Sequence, residues 1–161
     1  MGQRLLHGGG AQSAHNTAAR DLQVNYLLDT NACIAVINGR PSSVRARFQR
    51  VIAPENKVFV SSVVAFELWY GLAESSQTEA SRQNLQGFFA GPVVLLAFDH
   101  EDAETAGVIR AALEAQGKPI GAYDLLIAGQ ALRRKLTLVT ANVREFATIK
   151  GLTWQDWSKQ G

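Results

Sequence analysis

Short runs dominated by apolar residues alternate with amphipathic segments from about residue 25 onward. Five runs predict strands, over 26–28, 57–60, 93–98, 136–139 and 152–154. The run over 93–98 contains no polar residue, which is typical of a strand covered on both faces. The segments between them predict helices over 31–38, 41–52, 62–75, 77–89, 100–116 and 122–134. This order indicates one α/β domain with a mainly parallel sheet.

Capping residues predict where several helices begin and end. Thr30 is predicted to cap the first helix, and Asn38-Gly39 to end it. Pro41 is predicted in the first turn of the second helix. Ser61 or Ser62 is predicted to cap the third helix.

Composition fits a folded domain. The chain has 161 residues, of which 47% are hydrophobic and 19% charged, so we expect a globular domain with its own core. That domain is predicted over 25–158, and residues 1–24, which lack a hydrophobic period, are predicted to be a flexible leader or an added tail.

A formal net charge of +2 gives no argument for nucleic-acid binding by itself. No apolar stretch reaches roughly 18 residues, and the single Cys33 fits a reducing compartment, so a cytoplasmic protein without a membrane partner is expected.

Three acidic residues lie in apolar surroundings, far apart in the chain. They are Asp29, Glu67 and Asp124. Burying a carboxylate is unfavourable unless a cation or hydrogen bonds compensate it, so three of them indicate a shared function. Clustered carboxylates repel one another, and Mg²⁺ or Mn²⁺ relieves the repulsion because both ions prefer oxygen ligands. Such a cation commonly takes phosphate oxygens as further ligands, so these residues predict hydrolysis of a phosphodiester.

The predicted topology allows the acids to meet. Sites in parallel sheets form outside the carboxyl ends of the strands. Asp29 follows the first strand, and Thr140 and Asn142 follow the fourth. Glu67 and Asp124 lie on predicted helices whose other residues supply apolar packing, so each can turn its carboxylate toward that edge.

Four short motifs occur in the order and spacing of the PIN-domain ribonucleases. They are Asp29-Thr-Asn31, Glu67-Leu-x-x-Gly71, Ile120-Gly121-x-x-Asp124-x-x-Ile127-Ala128 and Thr140-x-Asn142-x-x-Glu145-Phe146. Within that family the chain resembles the VapC toxins of bacterial toxin–antitoxin pairs, over about residues 25–158. The resemblance implies a three-layer α/β/α fold with a mainly parallel sheet of four to five strands. It also implies an endoribonuclease that depends on Mg²⁺, with Mn²⁺ as a substitute.

The resemblance assigns roles to individual residues. The implied metal ligands are Asp29, Glu67, Asp124 and Glu145. The implied catalytic residues are the first three of these acids together with Asn142, and the supporting polar residues are Asn31 and Thr140. Many relatives have an aspartate where this chain has Asn142, and Glu145 is included because it can supply the missing charge.

The resemblance also implies partners. The expected partner is a VapB-like antitoxin that covers the acidic site, and operator DNA is contacted only through the antitoxin. The toxin is expected to form a homodimer and to act on RNA. Segments 117–128 and 140–152 resemble the subgroup that cuts initiator tRNA in the anticodon loop, so a tRNA is the expected substrate.

Each acid also has a structural interpretation. Asp29 and Asp124 could instead cap helices, and Glu67 could belong to a buried ion pair. Glu145 could lie on the surface without a role. Asp99 begins a predicted helix, where an acid favours the positive end of the helix dipole, and it is left out of the ligand set.

Basic and aromatic residues allow two interpretations as well. A basic face for RNA could be formed by Arg40, Arg45, Arg47 and Arg50, although a charged helix is commonly just solvated. The run 133–135 is expected to stabilise the negative end of its helix. Trp69 and Tyr70 are expected to pack in the core or against the antitoxin. Trp154 and Trp157 are expected to close the C-terminal edge.

Two other functions remain open at this stage. A phosphatase could use Asp29 as its nucleophile, although that chemistry commonly needs a second aspartate where this chain has Asn31. A catalytically silent PIN-like module could bind RNA or protein, but clustered negative charge would weaken its binding to RNA.

Overall fold

A five-stranded parallel sheet lies at the centre of the fold. The computed structural model describes residues 23–76 and 78–160, so the predicted leader, apart from Gln23 and Val24, lies outside the described residues. The strands are β1 (Tyr26–Leu28), β2 (Val58–Ser61), β3 (Val94–Leu96), β4 (Thr137–Val139) and β5 (Trp154–Gln155). They are arranged in the order β3-β2-β1-β4-β5, and each neighbouring pair is parallel. The predicted α/β class and the fifth strand are confirmed.

Helices connect the strands. They are α1 (Thr30–Asn38), α2 (Ser42–Val51), α3 (Ser62–Glu74), α4 (Glu79–Ala90), α5 (His100–Ala115), α6 (Ala122–Arg133) and the short α7 (Val143–Phe146). All but α7 were predicted, with ends that differ by a few residues. No described helix is both long enough and apolar enough to cross a membrane.

Strand β1 occupies the middle of the sheet and of the core. Leu27 and Leu28 are fully buried, because β2 and β4 pair with the two sides of β1 and helices cover its faces. Parallel pairing places the carboxyl ends of β1 and β4 next to each other, and the Asp29 amide donates to the Val139 carbonyl at 3.1 Å. The residues that follow these two strands therefore meet at one edge, as the sequence predicts.

Strand β3 differs from its prediction. It covers only 94–96, and Val94 and Leu95 are 43% and 57% exposed, so the expected coverage on both faces is wrong. The reason is that β3 lies at the edge of the sheet and pairs only with β2. An apolar composition does not distinguish such an edge strand from a central one.

Two predicted helix starts also differ. Asp29, and not Thr30, caps α1, because Asp29 Oδ1 accepts a hydrogen bond from the Ala32 amide at 2.7 Å. Thr30 is the first helical residue, and its hydroxyl bonds to another side chain. Pro41 occupies the N-cap position of α2 and not its first turn.

Other predicted helix ends are confirmed. Ser61 caps α3 by accepting from the Val63 amide at 3.1 Å. Gly39 ends α1 in the left-handed conformation with φ of 69°, which glycine adopts without strain. Asp99 caps α5, and Asp102 completes a capping box with it.

Helices α5 and α6 pack closely and are joined by a buried charge. A Cβ atom at Gly129 would lie 2.7 Å from that of Ala106, so only glycine permits this approach. Asp102 is fully buried and accepts hydrogen bonds from Gln130, Arg133 and Arg134 at 2.9–3.1 Å. The arginines, predicted only to stabilise a helix end, thus also hold α6 against the start of α5.

Asp102 makes this junction sensitive to acid. Burial alone would raise the pKa of Asp102, but hydrogen bonds from Arg134, the Asp99 amide and Arg133 outweigh it and lower the pKa from 3.8 to about 2. The unfolded chain therefore binds a proton at higher pH than the folded chain. The stability that ionised Asp102 contributes is present above pH 3.8 and is lost as the pH falls through about 2.

Substituting Asp102→Asn should lower the free energy of unfolding by about 2 kcal/mol at neutral pH, because Arg133 and Arg134 then lose their buried charged partner and keep only the exposed Asp99 and Glu101. Urea unfolding of variant and wild type across the acid range measures this difference, which should shrink between pH 3.8 and about 2. The control Glu114→Gln breaks the exposed pair with Arg110 and should change stability by about 0.5 kcal/mol or less. Equal effects of the two substitutions would contradict the assignment.

Candidate active site

Asp29 is anchored where β1 meets α1. The residue is only 5% exposed. Its amide is bonded to β4, and its carboxylate accepts from the Ala32 amide, so both backbone and side chain are fixed. The alternative that Asp29 caps a helix is thus confirmed. Capping engages Oδ1, so it is compatible with a further role for the other oxygen.

The electrostatic environment of Asp29 links it to other acids. Burial raises the pKa of Asp29, and hydrogen bonds from Thr140 and the Ala32 amide oppose that rise. The charges of Glu67 and Asp156 raise the pKa further. Asp29 therefore belongs to a group of interacting carboxylates.

Glu67 approaches the same edge from α3. Its Oε1 accepts a hydrogen bond from the Thr30 hydroxyl at 2.8 Å, and the side chain is half-buried. This contact explains why Thr30 is not the cap of α1. Within the described part of the chain, Glu67 forms no ion pair, so the alternative of a buried ion pair is wrong there.

Asp124 lies in the first turn of α6. Gly121 occupies the N-cap position, and no side chain there forms a capping hydrogen bond, so Asp124 is not the cap. Burial raises the pKa of Asp124, and a hydrogen bond and charge from Glu145, with the charges of Asp29 and Glu67, bring it to about 6. The other three acids that were predicted as metal ligands thus all raise the pKa of Asp124.

Asn142, at the position where many relatives have an aspartate, and Glu145 both lie near the other acids. Glu145 raises the pKa of Asp124 and is half-buried, so it is more than a surface residue. Asn142 is exposed, and its Nδ2 donates to Glu145 Oε2 at 3.0 Å. The Asn142 amide donates to the Thr140 hydroxyl at 3.0 Å. Asn142 therefore reaches the acids through Glu145.

Two residues near the acids were not predicted. One is Thr30, which orients Glu67. The other is Asp156, whose charge raises the pKa of Asp29. The position of Asp156 is a usable signal, because it directly follows β5 as Asp29 follows β1. Asn31, predicted as a supporting residue, is exposed and lines a small cavity with Thr140 and Asp156.

The donor set suits a hard divalent cation. All the converging side chains offer oxygen, which Mg²⁺ and Mn²⁺ prefer. Burial is the first cause of the raised pKa of Asp124, and the neighbouring carboxylates of Glu145, Asp29 and Glu67 add to it, so a cation would relieve the part that comes from their repulsion. Within residues 23–76 and 78–160, no three His, Cys, Asp or Glu side chains are already placed to hold a metal ion together. Binding would therefore draw the carboxylates inward.

The four arginines of the predicted basic face have three different surroundings. Arg40, which precedes α2, lines a small cavity with Asn31. Arg45 donates to the carbonyls of Val36 and Ile37 and so completes the end of α1. Arg47 and Arg50 line a cavity on the other side of α2. Only part of the predicted face is therefore available to a ligand.

The aromatic residues also differ in role. Trp69 and Tyr70 are 37% and 57% exposed, so neither belongs to the core. Trp69 stacks on Phe89, and Tyr70 stacks on Phe66. Trp157 is buried against Tyr26, and Trp154 forms β5, which confirms that these two tryptophans close the C-terminal edge.

The chain is similar to known proteins in sequence and in fold. Residues 26–152 match the PIN domain. The tRNA(fMet)-specific endonuclease VapC of Shigella flexneri is 41% identical over 84% of this chain and 99% of its own length. The structure of VapBC2 from Rickettsia felis, bound to a DNA fragment from its promoter, superimposes with a TM-score of 0.77 at 34% identity, over 83% of this chain and 99% of that one. The structure of DNA-bound VapBC from Salmonella typhimurium superimposes with a TM-score of 0.75 at 37% identity, over 83% of this chain and 98% of that one.

Substituting Asp124→Asn should stabilise the metal-free protein at alkaline pH but not at acid pH. Folded Asp124 has a pKa of about 6 against 3.8 for the unfolded chain, so its contribution to stability is complete below pH 3.8 and is lost as the pH rises through about 6. Asparagine cannot acquire the charge. Thermal unfolding in chelator at about pH 5 and about pH 8 should show a Tm advantage of the variant that grows with pH.

The control for this measurement is Glu74→Gln, which removes an exposed carboxylate at the end of α3. Its Tm difference from wild type should not change in the same direction with pH. A Tm advantage of Asp124→Asn that is equal at both pH values would show that the pKa of Asp124 is not raised as described.

Proposed function

Because the chain belongs to the PIN-domain family, we propose that it is a VapC ribonuclease toxin whose acidic edge holds a divalent metal ion and cuts RNA. This chain matches nearly the whole length of relatives that are named ribonucleases or endonucleases. The observation that carries the proposal is the placement of four carboxylates near the edge where β1 and β4 end, with Asp29 bonded to β4, Glu67 to Thr30 and Glu145 to Asn142, and with the charges of Asp29, Glu67 and Glu145 all acting on Asp124.

The proposed ligands of the metal are Asp29, Glu67, Asp124 and Glu145. When bound, Mg²⁺, or Mn²⁺ in its place, would neutralise these acids, activate water and stabilise charge on the phosphate oxygens. The protein's own contribution is to hold the acids in position. Asp29 is fixed by the Ala32 amide and Glu67 by the Thr30 hydroxyl.

Polar residues complete the proposed catalytic edge. Thr140 hydrogen-bonds to Asp29, and Asn142 orients Glu145. Asn142 is exposed, so it can also donate to an oxygen of the scissile phosphate. Asn142 is therefore proposed as a catalytic residue together with Asp29, Glu67 and Asp124. Asn31, exposed at the adjoining cavity, would contact the RNA strand.

The proposed substrate is a tRNA and the proposed partner is a VapB-like antitoxin. Relatives at 41% and 37% identity are named tRNA(fMet)-specific endonucleases, which makes initiator tRNA the first substrate to test. Similar solved structures are VapBC complexes, two of them with DNA bound. We expect the same pairing here, with DNA contacted through the antitoxin, a toxin homodimer, and action in the cytoplasm.

Substituting Asp29→Asn should abolish cleavage without weakening the fold. Asparagine caps a helix about as well as aspartate, so the free energy of unfolding should stay within about 0.5 kcal/mol of wild type. The lost charge should lower the cleavage rate at least about 100-fold, because even residues that only support metal ligands commonly contribute 10–100-fold. Cleavage of a tRNA pool with Mg²⁺ or Mn²⁺, and calorimetric titration with Mn²⁺, measure the two effects.

The matched comparison is Asp29→Ala, which removes both the charge and the cap. It should lose cleavage to the same extent and in addition be about 1 kcal/mol less stable. Cleavage by wild type that persists in chelator would contradict the metal requirement. RNA binding without cleavage would favour the silent module, and phosphate release from small phosphomonoesters would favour the phosphatase.

A further inference from the structure

A cationic cavity lies beside the acidic site. It has a volume of about 650 Å³. Arg47 and Arg50 of α2 line one side, and Asp156, Trp157 and Lys159 from the segment after β5 line the other. Three cations face a single carboxylate, so the cavity is strongly positive at neutral pH.

The protein itself leaves these cations without partners. Within residues 23–76 and 78–160, the basic residues found in ion pairs are Arg110, Arg133 and Arg134, none of which lines this cavity. The Nε atom of Arg47 is buried and has no hydrogen-bond partner among those residues. A buried N–H without a partner is rare and unfavourable, so a ligand that accepts from this guanidinium would stabilise the region.

A path connects the cationic cavity with the carboxylates. A smaller cavity of about 250 Å³ shares Asp156 with the cationic one and extends to Asn31, Arg40 and Thr140. Thr140 directly follows Val139, whose carbonyl accepts from the Asp29 amide at 3.1 Å. A strand that follows both cavities would therefore pass from the cations to the acidic edge.

We propose that the cationic cavity binds a backbone phosphate of the RNA strand, beside the phosphodiester that is cut. Guanidinium groups suit this ligand because they donate parallel N–H bonds to phosphate oxygens. An acidic peptide would offer similar acceptors, but the continuity with the edge where RNA is cut favours RNA. The inference rests on the proposed nuclease function and adds to it a binding position away from the acids.

The test compares two double variants with equal loss of charge. Arg47→Gln/Arg50→Gln removes the cavity cations, and Arg82→Gln/Arg110→Gln removes two exposed cations from α4 and α5. Fluorescence anisotropy with a labelled RNA hairpin, in chelator and at several KCl concentrations, gives Kd and its salt dependence. The cavity variant should raise Kd about tenfold or more over the control. Its slope of log affinity against log salt should be smaller by about 0.7 for each phosphate group that it no longer binds.

Cleavage assays give an independent measurement. In the cavity variant KM should rise by a similar factor while kcat changes much less, because the scissile phosphate still meets the acids. Thermal unfolding checks the fold. If Arg47→Gln unfolds the protein, the double variant Arg50→Gln/Lys159→Gln is used as the cavity variant, because the side chains of Arg50 and Lys159 are exposed.

The outcomes separate this inference from the proposed function. A wild type that cleaves RNA, with equal Kd, salt slope and KM in both double variants, would overturn the phosphate site alone. A wild type that does not cleave RNA would overturn the nuclease function. The binding measurement in chelator would still show whether the cationic cavity binds RNA. Unchanged RNA binding with weakened binding of the antitoxin would assign the cavity to a protein contact. Binding of AMP as tight as that of the hairpin would assign it to a free nucleotide.

Discussion

Repulsion among carboxylates at one edge of the sheet is the constraint on which the site depends. Such a cluster tends to separate or to take up protons unless each acid is held. Here the holding groups are neutral donors, namely the Ala32 amide, the hydroxyls of Thr30 and Thr140, and the amide side chain of Asn142. An arginine in any of these places would cancel the charge that attracts a cation. Neutral donors fix the positions of the acids and leave their charge in place.

A comparison of Asp124 with Asp102 shows that the neighbouring charges determine whether the pKa of a buried carboxylate rises or falls. Asp102 is more deeply buried than Asp124, yet its pKa is lowered while that of Asp124 is raised. Arg133 and Arg134 neutralise Asp102 and make it part of the scaffold between two helices. Burial without a cationic partner, and the nearby charges of Glu145 and other acids, raise the pKa of Asp124 instead. The same side chain therefore stabilises the fold at one position and stores unfavourable charge at another, within a single small domain.

Much of this arrangement could be predicted from the sequence, because it depends on local patterns. Alternating apolar runs predict the parallel sheet, and the acids in apolar surroundings predict the convergence. The exchange of roles between Asp29 and Thr30 could not be predicted, since either residue can cap a helix and only the approach of Glu67 decides between them. The edge position of β3 depends on strand order, which composition does not report. Asp156 was missed because β5 has only two residues and its carboxyl end was not recognised.

The strand order has a consequence for biosynthesis. Tyr26 of the central strand pairs with Thr137, and the edge that carries Asp29 is closed by the segment that contains Asp156. A ribosome that makes this chain releases Asp29 long before β4 and β5, the strands that complete its side of the sheet. Contacts so distant along the chain form late. A nascent chain that lacks β4 and β5 therefore has its first acid but not the edge that this acid completes.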